Sequence, residues 1–139
     1  MDALQDNQVS LISILQSYEL DNDEWLEIHD TKLIDFIRKS YFDTDKNKLL
    51  TVCNAPMTKD DQIKKAKVPQ SSGYKKHKKL VDDGFLIPVR RKPQYSLKIM
   101  YNRYFSKIDF FMEDTKTIIR VKINDNSHHR KFQRKNDLT

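Results

Sequence analysis

Apolar residues recur at intervals of three and four along most of the first half of the chain, which predicts a succession of short helices. The predicted helices span residues 4–17, 31–41, 45–54, 59–66 and 70–83. Between the first two, residues 20–28 fit neither a helical nor a strand pattern clearly. The succession predicts a helical N-terminal half.

Residues that favour helix ends stand beside several of these segments. Asp30 or Thr31 can accept hydrogen bonds from the first amides of the second helix, and Thr58 can do so for the fourth. Pro69, whose φ is fixed, suits the first position of the last helix. Gly84 suits a C-terminal cap, because glycine adopts a positive φ without steric cost.

Beyond the last helix the pattern changes to a period of two, which predicts strands. The predicted strands are 85–89, 94–97, 108–112 and 117–123. A basic turn, 90–93, joins the first two, and residues 98–107 fit either a helix or a strand. The aromatic residues expected beneath the last two strands are Tyr101, Tyr104, Phe105, Phe110 and Phe111. Residues 124–139 are polar and are expected to form a disordered tail.

Composition narrows the function classes. A chain of 139 residues supports one domain and leaves little mass for a two-domain enzyme cleft. Gly73 and Gly84 are the only glycines, so a glycine-rich phosphate loop is excluded. The single cysteine, Cys53, excludes an intramolecular disulfide and a cysteine zinc site. No grouping of nucleophile and base is visible, and we expect neither an enzyme nor a cofactor.

Three features of the sequence predict the cellular compartment of the protein. No apolar run approaches the roughly 20 residues that span a bilayer. The first six residues, 1–6, are acidic where a signal peptide would be basic. A lone cysteine is typical of a reducing compartment. We therefore expect a cytoplasmic protein with no membrane partner.

Charge is distributed unevenly along the chain, whose net charge is +6. Residues 1–45 carry 11 acidic and 3 basic residues, whereas residues 58–107 carry 14 basic and 4 acidic ones. Segments 46–57 and 108–139 each contribute a net +2. The basic middle indicates an anionic partner, and the acidic N-terminal part indicates a separate role.

Residues 58–87 carry the most specific motif. Helix 59–66, a short turn and helix 70–83 are followed by a strand with a basic turn. This run resembles the helix-turn-helix core of ArsR/MarR-like winged-helix transcription regulators, most closely the archaeal members. The sequence KLVDDGFL at 79–86 is similar to that family's helix-to-wing junction, and VPQSSGY at 68–74 is similar to its turn and recognition-helix start.

The resemblance implies an α+β fold with a winged helix-turn-helix domain at 43–97. Residues 1–42 would then be a helical N-terminal extension. Residues 98–123 would be an aromatic segment and a C-terminal β-hairpin packed on the core, followed by the tail at 124–139. In this arrangement the helix at 70–83 enters the major groove of DNA.

The helical phase of 70–83 separates a core face from an outer face. The predicted core positions are Gly73, His77, Leu80 and Val81. The residues assigned to base edges are Gln70, Ser71, Ser72, Tyr74 and Lys75. The residues assigned to phosphates are Thr58, Lys59, Lys76, Lys78, Lys79 and, at the wing tip, Arg90, Arg91 and Lys92. Glutamine can pair with adenine and lysine with guanine.

Two core positions depart from the family pattern. Gly73 replaces a branched apolar residue and costs about 1 kcal/mol of helix propensity relative to alanine. Close packing against the preceding helix explains it best, with a kinked recognition helix as the alternative. His77 replaces leucine, and we expect a partly buried histidine with a hydrogen bond in the core.

These observations predict a sequence-specific, double-stranded DNA-binding transcription regulator that forms a homodimer. The alternative is a winged-helix protein-interaction module in a nucleic-acid-associated complex. RNA or single-strand binding ranks lower, because few aromatic residues lie near the basic segment. Metal sensing, known among ArsR-like proteins, is not expected here. The histidines at 29, 77, 128 and 129 lack ligand spacing. No effector is identified.

Overall fold

The computed structural model describes residues 24–89 and 98–124, in which four helices and two three-stranded antiparallel sheets surround one hydrophobic core. The elements in chain order are β1 (Trp25–Ile28), α1 (Thr31–Tyr41), α2 (Thr44–Val52), β2 (Met57–Thr58), α3 (Lys59–Ala66), α4 (Gln70–Asp83), β3 (Leu86–Val89), β4 (Met100–Arg103), β5 (Phe105–Glu113) and β6 (Lys116–Ile123). This is the α+β class that the sequence predicts. The predicted helix 4–17, the turn 90–93, the strand 94–97 and the tail from residue 125 onward lie outside the described residues.

Three predicted helices have the predicted bounds, and their caps explain why. The Asp30 side chain accepts hydrogen bonds from the first amides of α1, and Gly84 closes α4 with a φ of 90°. Helix α2 begins one residue earlier than predicted, because Asp43 caps it, and it ends at Val52. Pro69 is the N-terminal cap of α4 and not its first helical residue, which corrects the prediction.

The N-terminal segment is not helical throughout, which corrects the predicted extension. Residues 25–28 form strand β1, which pairs antiparallel with β6 from Trp25 opposite Lys122 to Ile28 opposite Ile119. This pairing adds a third strand to the C-terminal hairpin, in the order β1-β6-β5. The two ends of the described chain therefore meet in one sheet.

The ambiguous aromatic segment forms strands. Strand β4 pairs with both β3 and β2, and β5 extends the predicted hairpin to Phe105. The hairpin reverses at Asp114, whose φ is 60°. Strand β3 thus has residues 100–103 as its partner among the described residues.

The core is built from helices and both sheets. Phe85 is fully buried between Phe36, whose ring centroid is 5.5 Å away, and Tyr41, at 5.6 Å. Tyr104 and Phe105 are also buried, as predicted. Because Phe85 follows α4 directly, this aromatic cluster ties the end of α4 to α1.

Gly73 lies where α4 passes closest to α3. A Cβ atom at this position would lie 3.0 Å from Cγ2 of Ile63, which is buried. The close-packing explanation for this glycine is therefore confirmed, because a side chain there would force the two helices apart.

We expect Gly73→Val to lower the free energy of unfolding by about 1–3 kcal/mol, the usual cost of overpacking. Ser71→Val, on the exposed face of the same helix, is the matched control and should change stability little. Adding Ile63→Ala to Gly73→Val should recover part of the loss. Urea denaturation measures the free energy of unfolding of the wild type, the two single variants and the double variant. Equal stability of Gly73→Val and Ser71→Val would contradict the packing argument.

Candidate nucleic-acid interface

Helices α3 and α4 are joined by the three-residue turn 67–69. Thr58 caps α3 by accepting a hydrogen bond from the Asp61 amide at 3.2 Å. Lys67 ends α3 in the left-handed region, with a φ of 57°, and Val68 is buried beneath the turn. The turn therefore sets the angle at which α4 leaves α3.

A chain of buried polar groups fixes α2, α3 and α4 relative to one another. The Nε2 group of Gln62 donates to the backbone oxygen of Leu49 at 2.8 Å, and its Oε1 lies 2.9 Å from Nε2 of His77. Gln62 is fully buried and His77 is 1% exposed. Since an amide oxygen only accepts, His77 carries a proton on Nε2 and donates it to Gln62.

This arrangement confirms the expected role of His77 as a hydrogen-bonded core histidine. Burial, with a smaller contribution from the Lys59 charge, lowers the pKa of His77 to about 4. The buried position of Gln62 was not predicted, because the spacing of apolar residues identifies only apolar positions as buried.

The residues that α4 buries and exposes follow the helical phase that the sequence predicts. Its buried residues include Gly73, His77 and Leu80, with Val81 partly buried. Its exposed residues include Gln70, Ser71, Lys75, Lys78, Lys79 and Asp82. The residues assigned to base edges thus lie at the exposed N-terminal end of α4, except that Ser72 and Tyr74 are partly buried.

Lys76 points towards α2. Its ammonium lies 3.0 Å from Oδ2 of Asp43 and 3.4 Å from Oδ2 of Asp45. The hydrogen bond to Asp43 raises the pKa of Lys76. Burial acts to raise the pKa of Asp43, but hydrogen bonds from the Lys46 amide and from Lys76 outweigh it, and the net pKa is lowered. Lys76 therefore connects α4 to the start of α2.

Two further lysines of α4 pair with aspartates one turn later. Lys78 lies 2.8 Å from Asp82, and Lys79 lies 3.2 Å from Asp83. The hydrogen bond to Asp82 raises the pKa of Lys78. Both lysine side chains remain more than half exposed. Asp82 is exposed as well, so its pair with Lys78 is an exchangeable surface contact, whereas the carboxylate of Asp83 is buried.

Three predicted contact residues come together at the N-terminal end of α4. The hydroxyl of Tyr74 donates to Oδ1 of Asp60 at 2.7 Å, and Nε2 of Gln70 donates to the Tyr74 hydroxyl at 3.1 Å. The ammonium of Lys59 lies 4.9 Å from the centre of the Tyr74 ring. The bond between Tyr74 and Asp60 depends on how α3 meets α4, and no local pattern in the sequence predicts it. Ser72 instead donates to the Pro69 carbonyl at 3.3 Å.

A groove of about 470 Å³ runs along α4, beside β4. Its charged and aromatic lining residues include Lys59, Tyr74, Lys75, Lys78 and Tyr101, together with the acidic Asp82. A second groove of about 280 Å³ shares Lys59 and Tyr101 and extends to Lys98. Tyr101, expected beneath the hairpin, instead packs edge-on against His77 at 4.7 Å. The structure thus adds an aromatic ring to the basic face.

The predicted phosphate contacts fall partly within and partly outside the described residues. Arg90, Arg91 and Lys92 lie outside the described residues. Lys75, Lys78 and Lys79 are exposed on α4, whereas Lys76 is directed away towards α2. Thr58 serves as a helix cap, with its hydroxyl already accepting a backbone amide.

Within residues 24–89 and 98–124, no group of three or more His, Cys, Asp or Glu side chains has an arrangement suited to a metal ion. None of the helices in these two ranges has the length and apolar character needed to cross a bilayer.

Comparison of the chain with protein-family models, with curated proteins and with solved structures found no match.

We expect His77 to make stability depend on pH. Its pKa is about 4 in the folded protein and about 6.5 in the unfolded chain. The folded state is therefore favoured fully above pH 6.5, and this contribution is lost as the pH falls towards 4, by an amount on the order of 3 kcal/mol. Urea denaturation at a series of pH values should show a smaller acid loss for His77→Gln than for the wild type.

His29→Gln is the matched control, because His29 is exposed. Its pH profile should follow that of the wild type. Parallel profiles for His77→Gln and the wild type would show that His77 does not remain neutral in the fold.

Proposed function

We propose that this protein is a cytoplasmic, winged helix-turn-helix transcription regulator that binds double-stranded DNA. Helix α4 would enter the major groove with Gln70, Ser71, Ser72, Tyr74 and Lys75 at the base edges. The basic segment 90–93 would contact the backbone as the wing. The proposal includes a homodimer, so that two α4 helices would read two half-sites.

The observation that carries the proposal is the geometry of α4 on its scaffold. Three packed helices present the outer face of α4 to solvent, and strands β3 and β4 follow it in the described structure. This order is compatible with a winged helix-turn-helix. A helix inserted in the major groove needs an exposed polar face on a rigid support.

Charge on the exposed face supports the same function. Lys75, Lys78 and Lys79 are exposed along α4, and Lys59 and Lys98 line the adjoining grooves. The pair that Lys78 forms with Asp82 is a surface ion pair worth about 0–1 kcal/mol, because both side chains are more than half exposed. A phosphate can therefore take the place of the carboxylate at little cost.

A winged-helix protein-interaction module is the second candidate, and an exposed apolar cluster favours it. Phe42 is 60% exposed and Met112 is 63% exposed. The Phe42 ring lies 4.8 Å from that of Phe110, two residues before Met112 on β5. Large exposed apolar side chains often mark a protein contact. Absence of duplex binding in the following assay would favour this candidate.

We expect the double variant Lys78→Ala/Arg91→Ala, at two positions assigned to phosphates, to weaken duplex binding. Each cation that contacts a phosphate releases about one counterion, so the slope of log affinity against log salt should become shallower by about 2. Fluorescence anisotropy with a labelled duplex over a salt series measures both effects. The duplexes come from selection on a pool of genomic fragments.

Lys39→Ala/Lys116→Ala is the matched control. It removes the same charge from exposed positions on α1 and β6. This control should retain the wild-type slope to within a small difference. Equal slopes for both double variants would mean that α4 and the wing do not contact phosphates, and no wild-type duplex binding at low salt would overturn the proposal.

For the dimer, sedimentation equilibrium at micromolar concentrations should give twice the chain mass of 16.6 kDa. A mass of one chain across the concentration range would rule out the homodimer without affecting the assignment of α4.

A further inference from the structure

The hydrogen bonds at the start of α4 form a directed chain. The Tyr74 hydroxyl has one proton and donates it to the Asp60 carboxylate at 2.7 Å. Its oxygen is then left as an acceptor, and it accepts from Nε2 of Gln70 at 3.1 Å. An ionised carboxylate has no proton to give back. The direction of both bonds is therefore set by Asp60.

This direction fixes the amide of Gln70. If the amide were turned over, its Oε1 would face the Tyr74 oxygen, whose only proton is already committed to Asp60. Two acceptors would then face each other without a proton between them. The chain thus selects one of the two amide orientations.

In the selected orientation Gln70 retains one N–H donor and the acceptor Oε1. Gln70 is exposed, and it is the first residue of α4. One donor beside one acceptor complements adenine, which offers its N6 amino group and its N7 acceptor in the major groove. Guanine offers two acceptors, N7 and O6, and so meets only one suitable group on this amide.

We propose that Asp60 and Tyr74 are positioning residues that orient the Gln70 amide to read an adenine in the major groove. The inference rests on the proposed DNA-binding function and adds to it the base that is read and the residues that impose the choice. Neither Asp60 nor the Tyr74 hydroxyl needs to touch the base.

The position of Asp60 on α3 suits a negative charge. Asp60 lies in the first turn of α3, where a carboxylate interacts favourably with the helix dipole. Lys59 lies next to it in sequence, with its ammonium over the Tyr74 ring. The negative charge that directs the chain is therefore compensated locally, which matters beside a phosphate backbone.

The test compares a selected duplex that contains adenine at the position read by Gln70 with the same duplex carrying 7-deazaadenine there. The deaza base lacks N7 and therefore removes the bond from the Gln70 N–H. Wild-type affinity should fall on the order of 5-fold with the deaza base. Gln70→Ala should bind the two duplexes about equally. Tyr74→Phe and Asp60→Asn should each show a smaller deaza effect than the wild type, because their Gln70 amide is present but no longer held in one orientation.

The base preference provides a second readout. Selection with the wild type should favour adenine at one position by about 10-fold or more, and the three variants should relax that same position alone. Asp61→Asn is the matched control, since Asp61 is exposed in the same first turn and carries the same charge. It should retain both the adenine preference and the deaza effect. Circular dichroism should show that each variant is folded.

The outcomes separate this inference from the function on which it rests. Salt-dependent duplex binding with a deaza effect unchanged in Tyr74→Phe would overturn the positioning role. A different result is salt-dependent duplex binding by the wild type with no adenine preference at any position whose base selectivity changes in Gln70→Ala. That result would overturn the adenine assignment. No duplex binding by the wild type would overturn the proposed function itself, and the inference with it.

Discussion

The buried hydrogen bonds of Gln62 determine how the three central helices pack. One bond joins α3 to the Leu49 carbonyl of α2, and the other joins it to His77 of α4. An unsatisfied buried polar group costs about 1–3 kcal/mol, so no helix can slide without losing a bond. Gly73, one turn before His77, permits the close approach of α4 to Ile63 that these bonds require. The exposed face of α4 is therefore presented at one angle.

The acidic N-terminal half and the basic middle of the chain are not independent parts. Asp43 caps α2 and also pairs with Lys76 of α4, and Asp45 takes part in the same contact. One lysine of the basic segment is thus used to join helices. On the outer face Lys78 has an exposed partner, Asp82, which suits a surface that exchanges carboxylates for the phosphates of a partner.

The sheet of β1, β5 and β6 also joins segments that are far apart in the sequence. Strand β1 pairs with β6, and Trp25 lies beneath the guanidinium of Arg120 at 4.6 Å and near the ammonium of Lys122 at 5.8 Å. Residues 25–28 are too short and too mixed in pattern to identify as a strand alone. Their partner strand, almost a hundred residues away, supplies the hydrogen bonds that make them one.

The sequence by itself determined the features that depend on neighbouring residues. These are the bounds of α1, α3 and α4, the caps Thr58 and Gly84, the C-terminal hairpin and the phase of α4, because periodicity and capping act within a few residues. Only the tertiary structure decided which polar side chains meet across elements: Gln62 with His77, Lys76 with Asp43, and Tyr74 with Asp60. No local pattern marks such contacts, since each joins residues from different elements whose distance is set by packing. The lysine run of α4 and its outward phase could thus be located from sequence, but the use of Lys76 to join α4 to α2 followed from the fold.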